Sequence, residues 1–483
     1  MTYEEIVDSI AEIPRFSKNH SLPETRGYLD ALGAPDDVLW KGGTKIIHVA
    51  GTNGKGSVCN YLAEIFRAAG FHVGLFISPH LVDIRERMLL DGEMIPKEEF
   101  VRSFQKVTAL TTPHRGPAGD ISLPEKPEHF TYFEFLFLMA MVWYGEKKPD
   151  VLILETGLGG RLDATNCVRH KSAAVITRIG MDHCQYLGNT ISAIAGEKAG
   201  IMKENVPTVV LEEPREALEV FKEKAEKLEI PLFIVHLRDF AGCFVRPGCI
   251  DFSFCYRYDS SVFTGMLNVR TRLSTSAVYQ EENASLSAAA AGLFEEEIRE
   301  RSGRSAGEII GEGLSEAFWP GRMEEILPGV YIDGGHNPDG IRAFLESVRQ
   351  IPVPPGGRRV LLFSAAADKQ VSVMADEILR SGLFDRIVAV PMGIERSIRK
   401  EDLVRIFEGQ SHPADSSADL SADHAAERPA VSVADLAADV FRTLTAEKND
   451  NELIFAAGSL YLVGILDREE GEKKRISGYP DLI

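Results

Sequence analysis

Cysteine is scarce in this sequence: the 483 residues include six, at positions 59, 167, 184, 243, 249 and 255, and no two form a C-x-x-C pair. This usage disfavours a disulfide-stapled scaffold and a zinc site built on paired thiolates. We therefore expect reduced and mostly buried thiols.

Positive charge is also in short supply. Acidic residues outnumber basic ones by 72 to 53, which gives a net charge of −19. A chain with this balance has no broad electrostatic attraction for nucleic acid or for an anionic membrane. Any anionic substrate must therefore be met by a local cluster of cationic side chains.

Long apolar runs are absent as well. The longest, "FTYFEFLFLMAMVWYG", contains Glu134 and is shorter than the roughly 20 residues that a membrane span needs. The first ten residues, "MTYEEIVDSI", are acidic and lack the pattern of a secretory signal. We expect a cytoplasmic protein that acts as a monomer on small molecules, with neither nucleic acid nor membrane as a partner.

What the sequence does contain is two series of alternating strands and helices. "TKIIHVA", "HVGLFIS", "VLILETG", "AAVITRIG", "VPTVVL" and "PLFIVHL" read as strands, and most are separated by helix-length segments, which predicts a parallel α/β sheet. The pattern breaks at Trp319-Pro320-Gly321, a plausible hinge, and resumes with "GVYIDGG", "RRVLLFSA", "FDRIVAVPM" and "NELIFAAGS". Residues 410–430 are rich in Ala, Ser, Asp and Pro and predict a mobile surface insertion without chemistry.

The segment "HVAGTNGKGSVCNYL", residues 48–62, resembles a phosphate-binding loop but departs from the Walker pattern, because Gly56 separates Lys55 from Ser57. Gly51, Gly54 and Gly56 permit close approach of a phosphate to the backbone, Lys55 supplies charge, and Ser57 opens the following helix. The extra glycine shifts the hydroxyl by one residue and removes none of these parts. A glycine-rich turn with a solvated lysine is the alternative interpretation.

Polar residues follow two further strands of the first series. Glu155 comes directly after "VLIL", and Asp182 and His183 follow "AVITRIG", with Lys198 further on. Carboxyl ends of parallel strands face the ligand crevice of such sheets, so a metal site is one interpretation. A capping glutamate, a hydrogen-bonded core histidine and a solvated lysine are the alternatives, although the small residues around Lys198 favour its burial.

The second series repeats this arrangement. "YIDGGHNPDG" puts Asp333, His336 and Asn337 at a strand-to-turn junction, and "ADKQ" and "AAGSLY" follow two later strands. Turn formation alone would explain the paired glycines and Asn337-Pro338. Three polar clusters at strand ends nevertheless predict that this half also faces a ligand.

Taken together, the motifs resemble the folylpolyglutamate synthases and dihydrofolate synthases of the Mur ligase superfamily. The matching segments are "HVAGTNGKGS", "ISPHLVDIRERM", "ETGLGGRLDATN", "GMDHCQYLGNTISAIAGEKAGI", "WPGRMEEI", "IDGGHNPDG" and "AAGSLYLVG". They occur in family order and cover nearly the whole chain except the insertion. The resemblance implies an α/β fold with a P-loop-containing parallel-sheet ATPase domain and folate site over residues 1–318, followed by a smaller Rossmann-like ligase domain over 319–483.

The resemblance also implies a reaction: ATP-dependent addition of L-glutamate to a pteroate or folate carboxylate through an acyl phosphate. The implied cofactors are ATP and Mg²⁺ at two sites, with K⁺ as a further candidate. "LDATN" resembles members that carry both activities of the family's name.

Roles carried over from the family fall into four groups. The implied catalytic residues are Lys55, His183, Lys198 and His336, and the implied ATP contacts are Gly51, Thr52, Asn53, Gly54, Lys55, Gly56, Ser57, Asn283, Arg322 and Asp333. The implied metal ligands are Ser57, Ser78, Glu155, His183 and Lys198, the lysine matching one that is carbamylated in the superfamily. The implied substrate contacts are Arg87, Asp163, His336 and Ser459.

Two departures and two alternatives stay open. The usual "DGAHNP" reads "DGGHNP" here, and the usual "DKD" reads "DKQ", which puts in doubt any role for a charge at Gln370. A UDP-muramyl peptide is an alternative substrate, although the short helical stretch before the phosphate loop leaves no room for a UDP-binding domain. A nucleotide-dependent switch is the other alternative, although a switch has no need of a second ligand-binding face.

Overall fold

The computed structural model describes residues 1–15, 21–110, 130–236, 239, 244–246, 248–260, 263–409 and 429–476. The predicted insertion at 410–430 lies almost entirely outside the described residues, and so does Cys243. Each of the five described cysteines is a free thiol. Cys59 and Cys167 are buried and the other three are half-buried. The expectation that most of the thiols are buried was therefore wrong for these five cysteines.

The predicted strands of the first series form one large sheet, and its order is β4-β3-β2-β5-β1-β6-β7-β8. Neighbouring strands of this sheet are parallel, except that β3 is antiparallel to both β2 and β4. The bounds are β1 Lys45–Ala50, β2 Val73–Phe76, β3 Met88–Leu90, β4 Glu93–Met94, β5 Val151–Glu155, β6 Ala173–Ile176, β7 Thr208–Leu211 and β8 Leu232–Val235.

The register of the central strands decides where the site lies. Val49 of β1 pairs with Glu155 of β5, and Ala50 pairs with Ile176 of β6. Since the three strands are parallel, their carboxyl ends meet at one edge of the sheet. The phosphate loop, Glu155 and the segment after β6 therefore start side by side.

Helices cover both faces of this sheet. Their bounds are α1 Tyr3–Ala11, α2 Leu22–Ala31, α3 Pro35–Lys41, α4 Lys55–Ala68, α5 Lys97–Ala109, α6 Tyr132–Lys147, α7 Cys184–Leu187, α8 Ile191–Lys198, α9 Arg215–Leu228, α10 Gln280–Ala291, α11 Glu295–Ser302 and α12 Ala306–Glu316. One apolar cluster joins α4, α10 and α12 to one face, and a second joins α5 and α6 to the other.

Helix α6 contains the longest apolar run of the sequence. It begins with a capping box in which Thr131 and Glu134 satisfy each other's backbone N–H groups, and eleven consecutive residues from Glu134 to Tyr144 are buried. Glu134 also accepts a hydrogen bond of 2.7 Å from the Thr25 hydroxyl. A helix that is apolar on all sides belongs inside a protein core. Within the described ranges, no helix combines the length and the apolar content that a membrane span requires.

A three-stranded antiparallel sheet, order β11-β10-β9, was not predicted from the sequence. Its strands are β9 Phe244–Arg246, β10 Cys249–Asp259 and β11 Thr264–Leu273. Buried and half-buried residues alternate along β10 as far as Tyr256, the pattern of a strand with one face on the core. This sheet packs against α10 and α12 and thickens the first half of the molecule.

The second series forms a six-stranded sheet of order β12-β13-β17-β14-β15-β16, in which only β12 is antiparallel to its neighbour. The strands are β12 Glu324–Leu327, β13 Val330–Ile332, β14 Arg358–Phe363, β15 Arg386–Ala389, β16 Ala430–Val433 and β17 Glu452–Ala457, and the helices are α13 Pro338–Gln350, α14 Val371–Ser381, α15 Lys400–Gly409, α16 Ala437–Glu447 and α17 Leu460–Ile476. Apolar clusters lie on both faces of this sheet. The predicted fold class, two α/β units with parallel sheets, is confirmed.

Gly313 generates a prediction about the helix pair α4 and α12. A Cβ atom at Gly313 would lie 2.4 Å from Ile65 Cα, so an added methyl group must push the two helices apart. We expect Gly313→Ala to lower the free energy of unfolding by ~1–3 kcal/mol, as overpacking does. Denaturant unfolding measures this change.

Gly27→Ala is the matched control, because Gly27 also lies inside a helix and a Cβ there meets nothing within 4 Å. This substitution should raise stability by about 0.5–1 kcal/mol, because alanine loses less backbone entropy than glycine on folding. Equal effects of the two substitutions on the free energy of unfolding would show that the stability of the protein does not depend on the close approach of α4 and α12.

Candidate active site

A cavity of about 1790 Å³ opens at the carboxyl edges of both large sheets. It is lined from the first half by the phosphate loop, Glu155, His183 and Lys198, and from the second half by Arg322, Asp333, His336 and Ser459. The structure thus brings the predicted site residues of both halves to one cleft.

The phosphate loop is shaped by its glycines. Gly51 has φ 155° and a Cβ there would lie 1.7 Å from Thr177 Oγ1, while Gly54 has φ 88° and a Cβ there would lie 2.2 Å from Asn283 Oδ1. A side chain at either position would therefore collide with a neighbour. Helix α4 begins at Lys55 without a side-chain cap. Its first N–H groups are thus available to an anion, with the helix dipole behind them.

Two lysines share one backbone acceptor in this loop. Lys55 Nζ lies 3.1 Å from the Gly51 carbonyl oxygen, and Lys198 Nζ lies 2.7 Å from the same oxygen. Lys198 is buried, and burial together with the charge of Lys55 lowers its pKa to about 7. Its side chain is therefore partly an uncharged amine at neutral pH.

Apart from Lys198, the predicted metal ligands supply oxygen atoms and one imidazole. Glu155 is buried and accepts a hydrogen bond of 2.8 Å from the Ser78 backbone N–H. Burial raises the pKa of Glu155 to about 7, although the charge of Lys55 opposes the shift. Ser57 is buried and accepts from Gln280 Nε2 at 3.2 Å. Burial also lowers the pKa of His183 to about 4, against the charge of Asp182, which leaves its imidazole neutral.

This donor set fits Mg²⁺, which prefers oxygen and binds through one or two carboxylates together with substrate phosphates. Within the described part of the chain, no group of three His, Cys, Asp or Glu residues is placed to hold a metal alone. Any Mg²⁺ here must complete its shell from substrate oxygens and water.

The second half contributes Asp333 and Arg322. Asp333 accepts from the Tyr279 hydroxyl at 2.5 Å, from Met323 N–H at 3.0 Å and from Gly335 N–H at 2.8 Å. Burial raises the pKa of Asp333, while the bond from Tyr279 opposes the rise. Arg322 donates to the Gly321 carbonyl at 2.9 Å. Asn283 donates to Gln280 Oε1 at 2.8 Å, beside the phosphate loop.

A polar cluster that sequence reasoning missed joins the two halves. Asp182 accepts from Lys369 Nζ at 2.7 Å and from Asn337 Nδ2 at 3.2 Å. Asn337 Nδ2 also donates to Asn53 Oδ1 of the phosphate loop at 3.0 Å. Each of these residues belongs to a motif noted in the sequence. The contacts between them, however, join residues separated by 155 to 284 positions along the chain, and no local sequence pattern indicates such contacts.

His336 completes this cluster. One ring nitrogen lies 2.9 Å from the Gly334 carbonyl oxygen, and the other lies 3.5 Å from Asp182 Oδ2. Burial raises the pKa of Asp182, but His336, Lys369 and His183 outweigh it and hold that pKa well below its usual range. Asp182 is therefore a fixed negative charge at the boundary between the two halves.

The predicted substrate residues line the same cleft. Arg87 is buried and its Nε lies 2.8 Å from His80 Nδ1, and burial lowers its pKa. Ser459 Oγ accepts from the Tyr461 backbone N–H at 3.1 Å. Asp163 accepts from Leu158 N–H at 2.8 Å and from the Thr165 hydroxyl at 2.5 Å, and so shapes the loop it ends.

The two departures from the family pattern have local explanations. A Cβ at Gly335 would lie 2.9 Å from the Gly340 carbonyl oxygen, so glycine fits this turn with the least strain. Gln370 is exposed and its amide contacts Cys184 Sγ at 3.8 Å. The neighbouring Lys369 provides the contact with Asp182, and that contact needs no charge at position 370.

The ion pair between Asp182 and Lys369 generates a prediction. Both side chains are more than nine-tenths buried, so removal of one leaves the other charged and without its partner. We expect Asp182→Asn and Lys369→Met each to lower the free energy of unfolding by about 3–5 kcal/mol, and the double substitution to cost less than their sum. Denaturant unfolding of the four proteins measures this coupling.

Asp376→Asn is the control, because its partner Arg380 is 79% exposed. A surface substitution of this kind should change stability by less than about 0.5 kcal/mol. Strictly additive effects of the two buried substitutions would show that the pair does not hold the halves together.

Comparison with known proteins agrees with this geometry. Residues 321–460 match the family model described as "Mur ligase, glutamate ligase domain". The dihydrofolate synthase/folylpolyglutamate synthase of Bacillus subtilis is 31% identical over 462 residues, which cover 93% of this chain and 94% of that protein. E. coli FolC, solved in complex with DHPP and ADP, is 25% identical with a TM-score of 0.75, over 98% of this chain and 99% of that one.

A folylpolyglutamate synthase from Mycobacterium tuberculosis, solved with ADP, has a TM-score of 0.79 over 97% of this chain and 98% of that one. At 23% identity it supports the fold alone. The near full-length match to the Bacillus protein carries the assignment further. The chain belongs to the folylpolyglutamate synthase and dihydrofolate synthase family, within the Mur ligase superfamily.

Proposed function

We propose that this protein is an ATP-dependent amide ligase that adds L-glutamate to the carboxylate of a pteroate or folate through an acyl phosphate. The observation that carries the proposal is the single cleft in which a phosphate loop and buried Glu155 face Arg87, His336 and Ser459. We further propose both activities, dihydrofolate synthase and folylpolyglutamate synthase, because the Bacillus relative that spans the chain is named for both.

Phosphoryl transfer comes first in the proposed reaction. A substrate carboxylate oxygen attacks the γ-phosphorus of ATP, the bond to the β,γ-bridging oxygen breaks, and ADP leaves. Lys55 and the N–H groups at the start of α4 bind the phosphates, and Asn283, Arg322 and Asp333 contact the nucleotide. Transfer of this kind depends on position and charge, so the hydrogen bond of 2.7 Å from the Thr177 hydroxyl to the Asn53 carbonyl, which fixes the loop, favours it.

Amide formation follows. The glutamate nitrogen attacks the acyl carbon and loses a proton, and the bond from that carbon to the phosphate oxygen breaks, which releases inorganic phosphate. Arg87, His336 and Ser459 bind and orient the glutamate, and Asp163 shapes the loop beside the acceptor. Charge-assisted hydrogen bonds from arginine suit the two carboxylates of glutamate.

Two metal positions form part of the proposal. Ser57, Ser78 and Glu155 would hold one Mg²⁺, and Glu155, His183 and Lys198 a second. When bound, Mg²⁺ neutralises charge on the transferring phosphoryl oxygens. Lys198 qualifies as a ligand only as a carbamate, and burial favours this change because it leaves an uncharged amine to attack CO₂ with loss of a proton.

We also propose that the chain forms two domains with a boundary at residue 319. The two separate large sheets support this division, and the turn at Trp319-Pro320-Gly321 lies between them. We propose a monomer, because one chain supplies every residue assigned a role here. Replacement of K⁺ by Na⁺ in the assay below tests K⁺ as a further cation.

Phosphate release tests the reaction. With MgATP and L-glutamate, we expect the purified protein to release phosphate with 7,8-dihydropteroate and with tetrahydrofolate, and each product to gain the mass of one glutamyl residue. Gain with one acceptor alone would remove the second activity. Phosphate release with a UDP-muramyl peptide, or nucleotide binding without any amide product, would instead favour the two alternative functions.

Lys198 tests the metal proposal. Lys198→Ala should lower kcat by at least about 100-fold, and Lys198→Arg should do the same, because arginine keeps the charge but forms no carbamate. A short carboxylate such as acetate should restore part of the activity of Lys198→Ala. Native mass spectrometry with and without bicarbonate reads the carbamate directly, and full activity without it would rule out the modification.

A further inference from the structure

Two arginines from distant parts of the chain converge on one tyrosine at the rim of the cleft. Arg15 Nη1 donates to the Tyr461 hydroxyl at 3.0 Å, and Arg396 Nη1 lies 3.3 Å from the same oxygen. Arg15 follows α1, Arg396 lies between β15 and α15, and Tyr461 is the second residue of α17. All three line the cavity that contains the proposed active site, and none has a role in the reaction described above.

The cationic charge of this group exceeds its anionic charge. Arg396 Nη2 pairs with Asp368 Oδ2 at 2.6 Å, but among the described residues no carboxylate lies within ion-pair distance of Arg15. Two guanidinium groups therefore share one carboxylate and one neutral hydroxyl. Like charges held this close repel each other unless an anion joins them.

The neighbouring residues add to the positive potential. Arg87 and Arg468 line the same cavity. Asp83 and Asp467 line the cavity too, and Asp83 is paired with Arg85 at 2.7 Å. In a protein of net charge −19, this local excess of cations marks a place for an anionic ligand.

The geometry of the donors indicates which anion. Tyr461 accepts from both arginines, so its own O–H is available to donate. Guanidinium and phenol donors on one side match the acceptor sites of a carboxylate. Tyr461 also donates its backbone N–H to Ser459, a residue proposed to contact glutamate. The phosphates of ATP have their own site at the start of α4.

We propose that Arg15, Arg396 and Tyr461 form a carboxylate-binding subsite that takes a carboxylate of a glutamyl unit. The inference rests on the proposed function for the identity of that unit. The carboxylate belongs either to the incoming glutamate or to a γ-glutamyl tail on the acceptor. The subsite favours acidic over neutral ligands in either case.

Equilibrium binding tests the subsite without turnover. Isothermal calorimetry in the presence of MgADP compares L-glutamate, a tri-γ-glutamyl peptide and neutral L-glutamine on the wild type and on Arg15→Ala, Arg396→Ala and Tyr461→Phe. We expect each arginine variant to weaken binding of glutamate or of the peptide about tenfold, since a hydrogen bond to a charged group is lost. Arg396→Lys should recover part of this loss, because it keeps the charge without the planar fork.

Steady-state kinetics then separates the two sources. A higher KM for glutamate with dihydropteroate as acceptor assigns the subsite to the incoming amino acid. A higher KM for a polyglutamylated folate, with the KM for dihydropteroate unchanged, assigns it to the acceptor tail. Arg349→Ala is the control, because Arg349 lies on α13 outside the cavity and pairs with Glu346.

Two results would overturn the subsite. The first is that both arginine variants bind glutamate and the peptide as tightly as the wild type does, or that the wild type binds neither probe. The other is an equal loss for glutamate, glutamine and MgADP together with a lower unfolding midpoint, which would make the group a structural clamp. Weakened binding of the acidic probes in a protein that forms no amide would retain the subsite and overturn the proposed function instead.

Discussion

The carbonyl oxygen of Gly51 accepts from two lysine side chains, and the rest of the site is arranged around this contact. Lys55 and Lys198 come from helices α4 and α8, which follow different strands of the first sheet. Burial and, after it, the charge of Lys55 lower the pKa of Lys198 to about 7. The strand of Glu155 pairs with the strand before Gly51, and the charge of Lys55 acts on this buried carboxyl by opposing the rise of its pKa.

Charge is distributed unevenly over this molecule. The chain as a whole is strongly acidic, whereas in the cavity acidic residues are accompanied by cationic ones, which include Lys55, Arg87, Arg322, Lys369 and Arg396. A low-dielectric cleft increases the effect of each of these charges on a bound anion. These cationic side chains favour small anionic substrates, while the net negative charge of the chain disfavours extended polyanions such as nucleic acid.

The second sheet does more than add surface to the cleft. Its strand β13 ends at Ile332, so Asp333 and the turn after it face the phosphate loop, and Asn337 contacts both Asn53 and Asp182. Fixed hydrogen bonds between the halves hold these groups in one relative position. A reaction that transfers phosphate in one half and binds glutamate in the other depends on such alignment.

Much of this architecture follows from local sequence. The strands that precede the glycine-rich turns and the placement of Glu155 and Asp333 at strand ends were predicted, because apolar periodicity and turn residues act over a few positions. The antiparallel strands β9 to β11 were missed, although β10 alternates buried and half-buried residues as far as Tyr256. Family membership, too, was indicated by motifs in order along the chain and confirmed by a relative that spans it.

Only the tertiary structure decided which polar groups meet. Arg15 and Tyr461 are separated by 446 positions, and Asn53 and Asn337 by 284, so neither contact leaves a periodic trace in the sequence. The burial of Lys198 and the resulting fall in its pKa likewise depend on how α8 packs against the first sheet. The sequence alone determined the strands, the turns and the chemical types at their ends, because these depend on near neighbours. Packing of the two sheets decided the charges and partners of those groups, because desolvation and long-range contacts exist only in the folded chain.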